Sequence, residues 1–264
     1  MYKLLMVFVL VILNFASQLA KAQNVPQYEK RMFINENDTL LYRILYPDNY
    51  DAGKKYPVLL FLHGAGERGN DNERQLILGG DLFLKEKVRK NYPAIVVFPQ
   101  CPVTDMWTAR TKHKVEGQNW VFNFPVAKVP PRPSELVNLL MEELMKGQSV
   151  DQQRIYIMGI SMGGIGALEF LHRWPGKYAA AAIICGGHDS RLSDNYKHIP
   201  VWFFHGDADD VVPQSYSLEV FNKIRNGNKR TRYTNYPNTN HNSWDKALKE
   251  PKLLKWMFNN LKEE

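Results

Sequence analysis

Ser161 lies in Gly159-Ile160-Ser161-Met162-Gly163-Gly164, and a serine held between glycines at this spacing can serve as a nucleophile. The Gly-x-Ser-x-Gly spacing is short enough to recur by chance, so its flanks carry the reading. Ile155, Ile157 and Ile160 form an apolar run too short for a helix, whereas Ile165, Leu168, Phe170 and Leu171 follow helical spacing. A strand, a sharp turn and a helix would lift the serine Oγ clear of a sheet, as in a nucleophile elbow. Glycine is required at 159 and 163 because a Cβ there would collide with a neighbouring strand or helix. Met162, the first residue after the serine, would offer its N–H to an oxyanion at the helix N-terminus.

A serine nucleophile needs a base, and the base needs an orienting carboxylate. His172 falls about three turns along the elbow helix, pointing away from the Oγ. His198 precedes the Val201 strand and belongs at the opposite end of the sheet. His241 stands in the polar segment Pro237-Asn238-Thr239-Asn240-His241-Asn242-Ser243-Trp244, between the last strand and the last helix, where a base is expected. The carboxylate candidates are Asp207, Asp209 and Asp210, after the Val201–Phe204 strand. Spacing alone leaves all three open. A second oxyanion donor is expected from His63-Gly64-Ala65-Gly66, with Ala65 the best placed.

The elements that would position these groups alternate along the chain. Two strands, about Lys30–Asn35 and Thr39–Tyr46, suggest an edge hairpin turning at Glu36-Asn37-Asp38. Pro57–Leu62 is a continuous apolar run, the mark of a strand buried on both faces. Helical material is expected over 72–90, a strand at Ala94–Phe98, and a helix capped by Ser134 and ended by Gly147. Beyond the elbow follow strands at Ala179–Ile184 and Val201–Phe204, a helix over 214–226, an edge strand Thr231–Tyr236, and a final helix Ser243–Leu261 that Pro251 kinks or divides. This alternation predicts an α/β fold: a mostly parallel sheet with helices on both faces and an antiparallel N-terminal hairpin at one edge. Ligands in such sheets bind beyond the carboxyl ends of the strands. Ser161, His63-Gly64 and the 207–210 loop all follow such ends.

The chain resembles the α/β-hydrolase superfamily over about Tyr56–Leu261. The likeness rests on LLFLHGAGERG, VVFPQCP with Trp107 nearby, GISMGG, FHGDADDVVP and the NHNSW segment. Within the superfamily it is most similar to exported esterases of the predicted-peptidase and carboxylesterase/phospholipase-like group. That group borders on polyhydroxybutyrate-depolymerase-like proteins and on feruloyl and acetyl-xylan esterases. The superfamily's chain order of nucleophile, acid and base argues against His188 and His205, which precede the acid candidates; His205 then reads as a histidine packed in the core or behind the acid. The family pattern His-Gly-x-x-Asp-x-x-Val-Pro puts the acid at Asp209. Asn240 stands where the family has a glycine before its histidine. The resemblance thus implies a serine hydrolase with Ser161, Asp209 and His241 as triad, Met162 and Ala65 as oxyanion donors, and no metal or organic cofactor. Its implied substrate is a small or oligosaccharide ester.

Composition bounds the alternatives. A chain of 264 residues, 44% of them hydrophobic, supports one sizeable α/β core, read as a single domain over 23–264. Met1–Ala22 has a targeting pattern: Lys3, an apolar stretch Leu4–Phe15, and Ala20-Lys21-Ala22 as cleavage site. Its removal takes Lys3 and Lys21 and no acids, so the net charge falls from +7 to +5. The mature chain is expected to be exported, with no membrane or nucleic-acid partner, because its positive charge is spread out rather than gathered in a stripe. Cys101 and Cys185 could bond in an oxidising compartment, but they follow strands about three spacings, ~14 Å, apart. Two free thiols are expected, and zinc is not indicated.

Asp105–Pro133 is long for a connection in a compact domain. It carries Trp107, Trp120, Phe122 and Phe124. Two readings carry equal weight: a wall for the acyl group or sugar, with Trp107, Trp120 and Trp244 touching substrate, or a hydrophobic cluster pinning the loop. Glu67 and Arg68 are lesser candidates that could pair with each other. An esterase is the leading reading; a serine peptidase on short peptides and a catalytically silent binding protein of the same fold are the alternatives.

Overall fold

The computed structural model describes residues 28–116, 120–125 and 127–262; the targeting segment 1–22 lies outside them. Ten strands are present among these residues: β1 (Glu29–Asn35), β2 (Asp38–Leu45), β3 (Tyr56–Leu62), β4 (Ile95–Pro99), β5 (Thr111–Lys114), β6 (Trp120–Asn123), β7 (Val150–Ile160), β8 (Ala180–Ile184), β9 (Val201–Gly206) and β10 (Arg232–Tyr236). The helices are α1 (Gly80–Leu84), α2 (Glu86–Asn91), α3 (Arg132–Lys146), α4 (Met162–Arg173), α5 (Ser215–Ile224), α6 (Trp244–Ala247) and α7 (Leu253–Phe258). Eight strands make one sheet in the order β1-β2-β4-β3-β7-β8-β9-β10. From β4 to β10 all neighbours run parallel, while β1 and β2 form the antiparallel edge. This is the α/β-hydrolase architecture expected from the alternation of elements.

Period-two alternation in the central strands sorts their apolar side chains onto two faces. Val58, Leu60 and Leu62 of β3 join Ile155 and Ile157 of β7 in a core covered by α3, α4 and α5. Leu59 and Phe61 join Tyr156, Met158 and Ile160 in a second core, covered by α1 and α7. Each such side chain contributes roughly 1.5–3 kcal/mol on burial. The elbow strand β7 is therefore clamped between β3 and β8 at the middle of the sheet.

The expected elements differ from the observed ones in three places, and a fourth was foreseen. The single helix over 72–90 is broken. Gly79, at φ +96°, precedes α1, and Lys85 in extended conformation (φ −63°, ψ 127°) separates α1 from α2. The final helix is two pieces, α6 and α7, divided at Pro251 as expected, because Pro251 cannot donate within a helix. Ser134 does not cap α3. That helix begins at Arg132 after Pro131, with Pro133 in its first turn, and Ser134 Oγ donates instead to the Trp107 carbonyl at 2.5 Å. Lastly, the stretch read as irregular holds the β5–β6 hairpin, whose β5 (Thr-Lys-His-Lys) lacks an apolar alternation to announce it.

Cys101 and Cys185 are both free and buried, three strand spacings apart as the order β4-β3-β7-β8 requires. Burial, together with nearby Asp105, pushes the Cys101 thiol up to about 12. Burial raises that of Cys185 as well, so neither offers a thiolate.

Candidate active site

Ser161 adopts φ 54°, ψ −116°, a left-handed conformation that costs a non-glycine residue energy and marks a constrained position. The sheet and helix hold it there. Ser161 N–H donates to Ile184 O at 2.8 Å on β8, and its own carbonyl accepts the Ile165 N–H of α4 at 2.9 Å. The flanking glycines are sterically required: a Cβ on Gly159 would overlap the Gly163 carbonyl, and one on Gly163 would overlap the carbonyl oxygens of Leu62 and His63. Strand β7, helix α4 and the end of β3 thus touch backbone to backbone.

Ser161 Oγ lies 2.8 Å from His241 Nε2. The other ring nitrogen, Nδ1, donates to Asp209 Oδ2 at 2.8 Å and Oδ1 at 3.0 Å. Asp209 is buried and does not rest on histidine alone. Its Oδ1 accepts the Val211 and Val212 N–H groups, each at 2.9 Å, and Oδ2 faces His205 Nε2 at 3.1 Å. Burial opposes ionisation of this carboxyl, but hydrogen bonds from His205, His241 and Val212 outweigh it and hold the group well below the usual carboxylate range. The carboxylate is therefore charged at neutral pH. Asp207 and Asp210 are exposed, which separates the three acids that spacing left open.

His205 is buried behind Asp209. Its Nε2 also meets the Val212 carbonyl at 2.9 Å, an acceptor only, so the proton sits on Nε2 and Nδ1 takes the Ser217 hydroxyl at 2.7 Å. Asn240, in the position of the family's glycine, accepts the His241 N–H through Oδ1 at 2.9 Å; its side chain caps the loop that carries His241. Trp244 stands edge-on to the His241 ring, centroids 5.5 Å apart.

The turn after β3 faces the serine. A Cβ built on Gly64 would lie 3.7 Å from Ser161 Cβ, and Ala65 opens a short 3-10 turn there. Three contacts that the sequence did not reveal fix this turn. The His63 ring is buried, with Nδ1 donating to Gly64 O at 2.6 Å and Nε2 accepting the Cys101 N–H at 3.0 Å. Trp107 Nε1 donates to His63 O at 3.1 Å. Arg68 donates to the carbonyls of Ala65, Val103 and Asp105. Arg68 is thus spent on backbone, not on Glu67, whose Oε2 is buried without a partner among the described residues; burial raises that carboxyl.

For Trp107 the sequence left two readings open, a substrate wall or a structural pin. It is fully buried, packed against Gly166 of α4 and edge-on to His63, so it pins the turn and lines no open surface. Trp120 is half-buried, with Lys112 Nζ 4.2 Å from its ring centre. Together with Phe122, Phe124 and Tyr216 it packs on Ile165 of α4 and Val212 of the acid loop. The β5–β6 hairpin is therefore pinned by a hydrophobic cluster and at the same time stands beside the triad geometry.

Burial lowers the His63 imidazole from its ordinary 6.5 to about 4. The unfolded chain then binds a proton that the folded one refuses between those values, so this contribution is complete above pH 6.5 and is lost as pH falls toward 4. Denaturant unfolding at pH 5 is expected to show about 2 kcal/mol less stability than at pH 7 from this group. A His63→Gln variant should show a flatter pH dependence over that interval; identical slopes would contradict the assignment.

Fold and site geometry together define an α/β-hydrolase. Residues 50–253 match the Phospholipase/Carboxylesterase family, and the chain belongs to it. It is 25% identical over 226 residues to the mouse lysophospholipase-like protein 1, covering 81% of this chain and 90% of that one. A shorter match, 28% over 116 residues, is to a bifunctional acetylxylan esterase/xylanase of Neocallimastix patriciarum; it spans 40% of this chain and 16% of that protein. Among solved structures, a thermostable esterase superposes with a TM-score of 0.78 at 29% identity, covering 89% of this chain, which spans 63% of that one. A ferulic acid esterase from Anaeromyces mucronatus shares the fold, with a TM-score of 0.59 at 17% identity over 88% of this chain and 89% of its own. The chain is a hydrolase of the esterase class.

Proposed function

We propose that the protein is an exported serine esterase that cleaves carboxylic esters through an acyl-enzyme. The observation that carries this reading is the unbroken run Ser161 Oγ, His241, Asp209 on a strained elbow. His241 Nε2 takes the Oγ proton as Oγ attacks the ester carbonyl. Asp209 holds the ring and stabilises its charged form. The tetrahedral oxyanion is held by the N–H groups of Met162, at the head of α4, and Ala65, at about 3 kcal/mol per donor. Collapse breaks the bond to the alcohol, which leaves with the proton from His241. Water then enters, gives a proton to His241, and attacks the acyl carbonyl; the carboxylic acid departs and Oγ regains its proton.

Export is supported by the targeting pattern of residues 1–22 and by a 24% identical relative described as a secreted protein of Arthroderma benhamiae, of which this chain covers 27%. No helix among the described residues is long and apolar enough to cross a membrane. Esters of plant polysaccharides are the proposed substrates, in keeping with the acetylxylan esterase relative and with the ring-lined hairpin beside the triad. No nucleic-acid partner enters this reading, and the mature protein is taken as one domain.

The direct test is hydrolysis of p-nitrophenyl acetate by the wild type and by Ser161→Ala. Wild-type turnover that vanishes in the variant is expected. Equal turnover by both would remove Ser161 from the mechanism.

A further inference from the structure

Arg110 closes the segment that leads from Trp107 into β5, and its guanidinium has no acid to balance it. Arginines buried elsewhere in the fold are paired. Arg43 meets Glu73, Arg89 meets Asp48, and Arg173 meets Glu169, a carboxylate that also takes the buried His188. Among the described residues Arg110 has neither an ion pair nor a hydrogen bond, and its Nε is closed off from solvent. The residue as a whole is only half-buried, so the fork of two Nη groups opens outward. The charge that acts on it is another cation: burial, and then Arg68, draw the Arg110 guanidinium below its ordinary value. An uncompensated, half-buried cation is costly to keep. A free guanidinium fork is also the donor set that binds a carboxylate through two parallel N–H groups.

Contacts on two sides set this fork on the reactive edge of the sheet. Arg110 Cζ stands 5.0 Å from the centre of the Phe122 ring on β6, a cation–π contact that holds the head in place. Phe122 packs in turn on Ile165 and Val212. The Ile165 N–H binds the Ser161 carbonyl at 2.9 Å, and the Val212 N–H binds Asp209 Oδ1 at 2.9 Å. On the other side, Arg68 Nε donates at 3.0 Å to the carbonyl of Ala65, the proposed oxyanion donor. Trp107, earlier in the same segment, is tied to His63 O at 3.1 Å. The fork thus lies between the oxyanion turn and the β5–β6 hairpin. Arg68 spends its donors on the carbonyls of Ala65, Val103 and Asp105, which leaves one free fork and suits a singly charged group.

We infer that Arg110 is a specificity residue that receives a carboxylate carried by the substrate, separate from the ester being cleaved. The inference rests on the esterase reading and narrows its substrate to esters with an anionic arm. These are monoesters of dicarboxylic acids if the arm is on the acyl side, and acylated hydroxy acids if it is on the alcohol side.

The experiment measures kcat/KM for two pairs of esters, each an anion and its neutral isostere. The acyl-side pair is p-nitrophenyl hemisuccinate with p-nitrophenyl 4-methylpentanoate; the alcohol-side pair is 4-acetoxybenzoate with 4-isopropylphenyl acetate. Intrinsic reactivity cancels when the anionic-to-neutral ratio of a pair is compared between proteins. In Arg110→Met, which keeps the apolar stem on Phe122 and removes the fork, the ratio is expected to fall about 10-fold or more for one pair, carried by KM. The pair that responds shows which side of the ester bears the arm. Arg110→Lys, which keeps the charge without the fork, should lose about 3-fold. Lys114→Met removes the same charge from exposed β5 and should keep the wild-type ratio. An equal fall in Lys114→Met would mean general attraction to a positive surface and would overturn the assignment, as would unchanged ratios in Arg110→Met. Should Arg110→Met fail to fold, the wild type and Lys114→Met decide with a cationic ester, p-nitrophenyl 4-(trimethylammonio)butyrate. Both should turn it over about 10-fold less efficiently than the hemisuccinate; equal turnover of the two overturns the site. Neutral esters separate the two claims. Their turnover without a response at Arg110 defeats the arm site alone, whereas no turnover of any ester defeats the esterase reading and the arm site with it.

Discussion

Asp209→Asn is expected to lower kcat for ester hydrolysis by about 10⁴-fold with little change in fold. The asparagine keeps the shape of the side chain, and its oxygen can still accept the Val211 and Val212 N–H groups that Asp209 Oδ1 binds at 2.9 Å. Its amide nitrogen then turns toward His205 and His241, where the carboxylate had an acceptor. That reverses the preferred tautomer of His241, placing the proton on Nε2, where it cannot accept one from Ser161. The charged imidazole formed during attack also loses its counter-ion. Asp207→Asn and Asp210→Asn serve as controls, since both side chains are exposed and should leave kcat within a few-fold. Steady-state kinetics on the three variants decides the matter. A large loss at Asp207 or Asp210 with little at Asp209 would reassign the acid.

Gly163→Ala is expected to destabilise the fold by about 4 kcal/mol or more, or to prevent it. The added Cβ would overlap the backbone carbonyls of Leu62 and His63, and backbone cannot rotate away as a flexible side chain can. Either α4 must lift from the sheet or the β3–β7 pairing, which places Leu62 opposite Gly159, must open. For a protein of this size the loss corresponds to a fall in Tm of roughly 10 °C. Gly176→Ala is the matched control, because a Cβ there meets nothing within 4 Å; it should melt within a degree or two of the wild type. Equal melting of both variants would show that the elbow does not depend on close backbone approach.

The sheet was legible because its central strands are buried on both faces and therefore read as unbroken apolar runs. Ser161 was legible for the opposite reason: its glycines are demanded by backbone contacts that no other residue allows. Asp209 was not resolved by spacing. What distinguishes it from Asp207 and Asp210 is burial against His205 and two backbone N–H groups, a tertiary property, and only the family pattern anticipated it. Trp107 stayed open because an aromatic residue in a long loop reads equally as a substrate wall or as a structural pin; its indole N–H, bonded to His63 O, decides for the pin. His188 and Glu169 left no trace in the pattern. One sits in a loop and the other on an otherwise apolar helix, and only the fold brings them within 3.0 Å. The β5–β6 hairpin was hidden because β5 is exposed and polar along its length.

The central claim is that Ser161 is the covalent nucleophile, and the most direct measurement is active-site labelling. The wild-type protein, incubated with a fluorophosphonate, should gain the mass of one adduct, with peptide mapping placing it on Ser161. Ser161→Ala should remain unlabelled, and His241→Ala should label far more slowly because Oγ has lost its base. Stoichiometric labelling of another residue, or turnover of p-nitrophenyl acetate that persists after Ser161 is fully modified, would contradict the account.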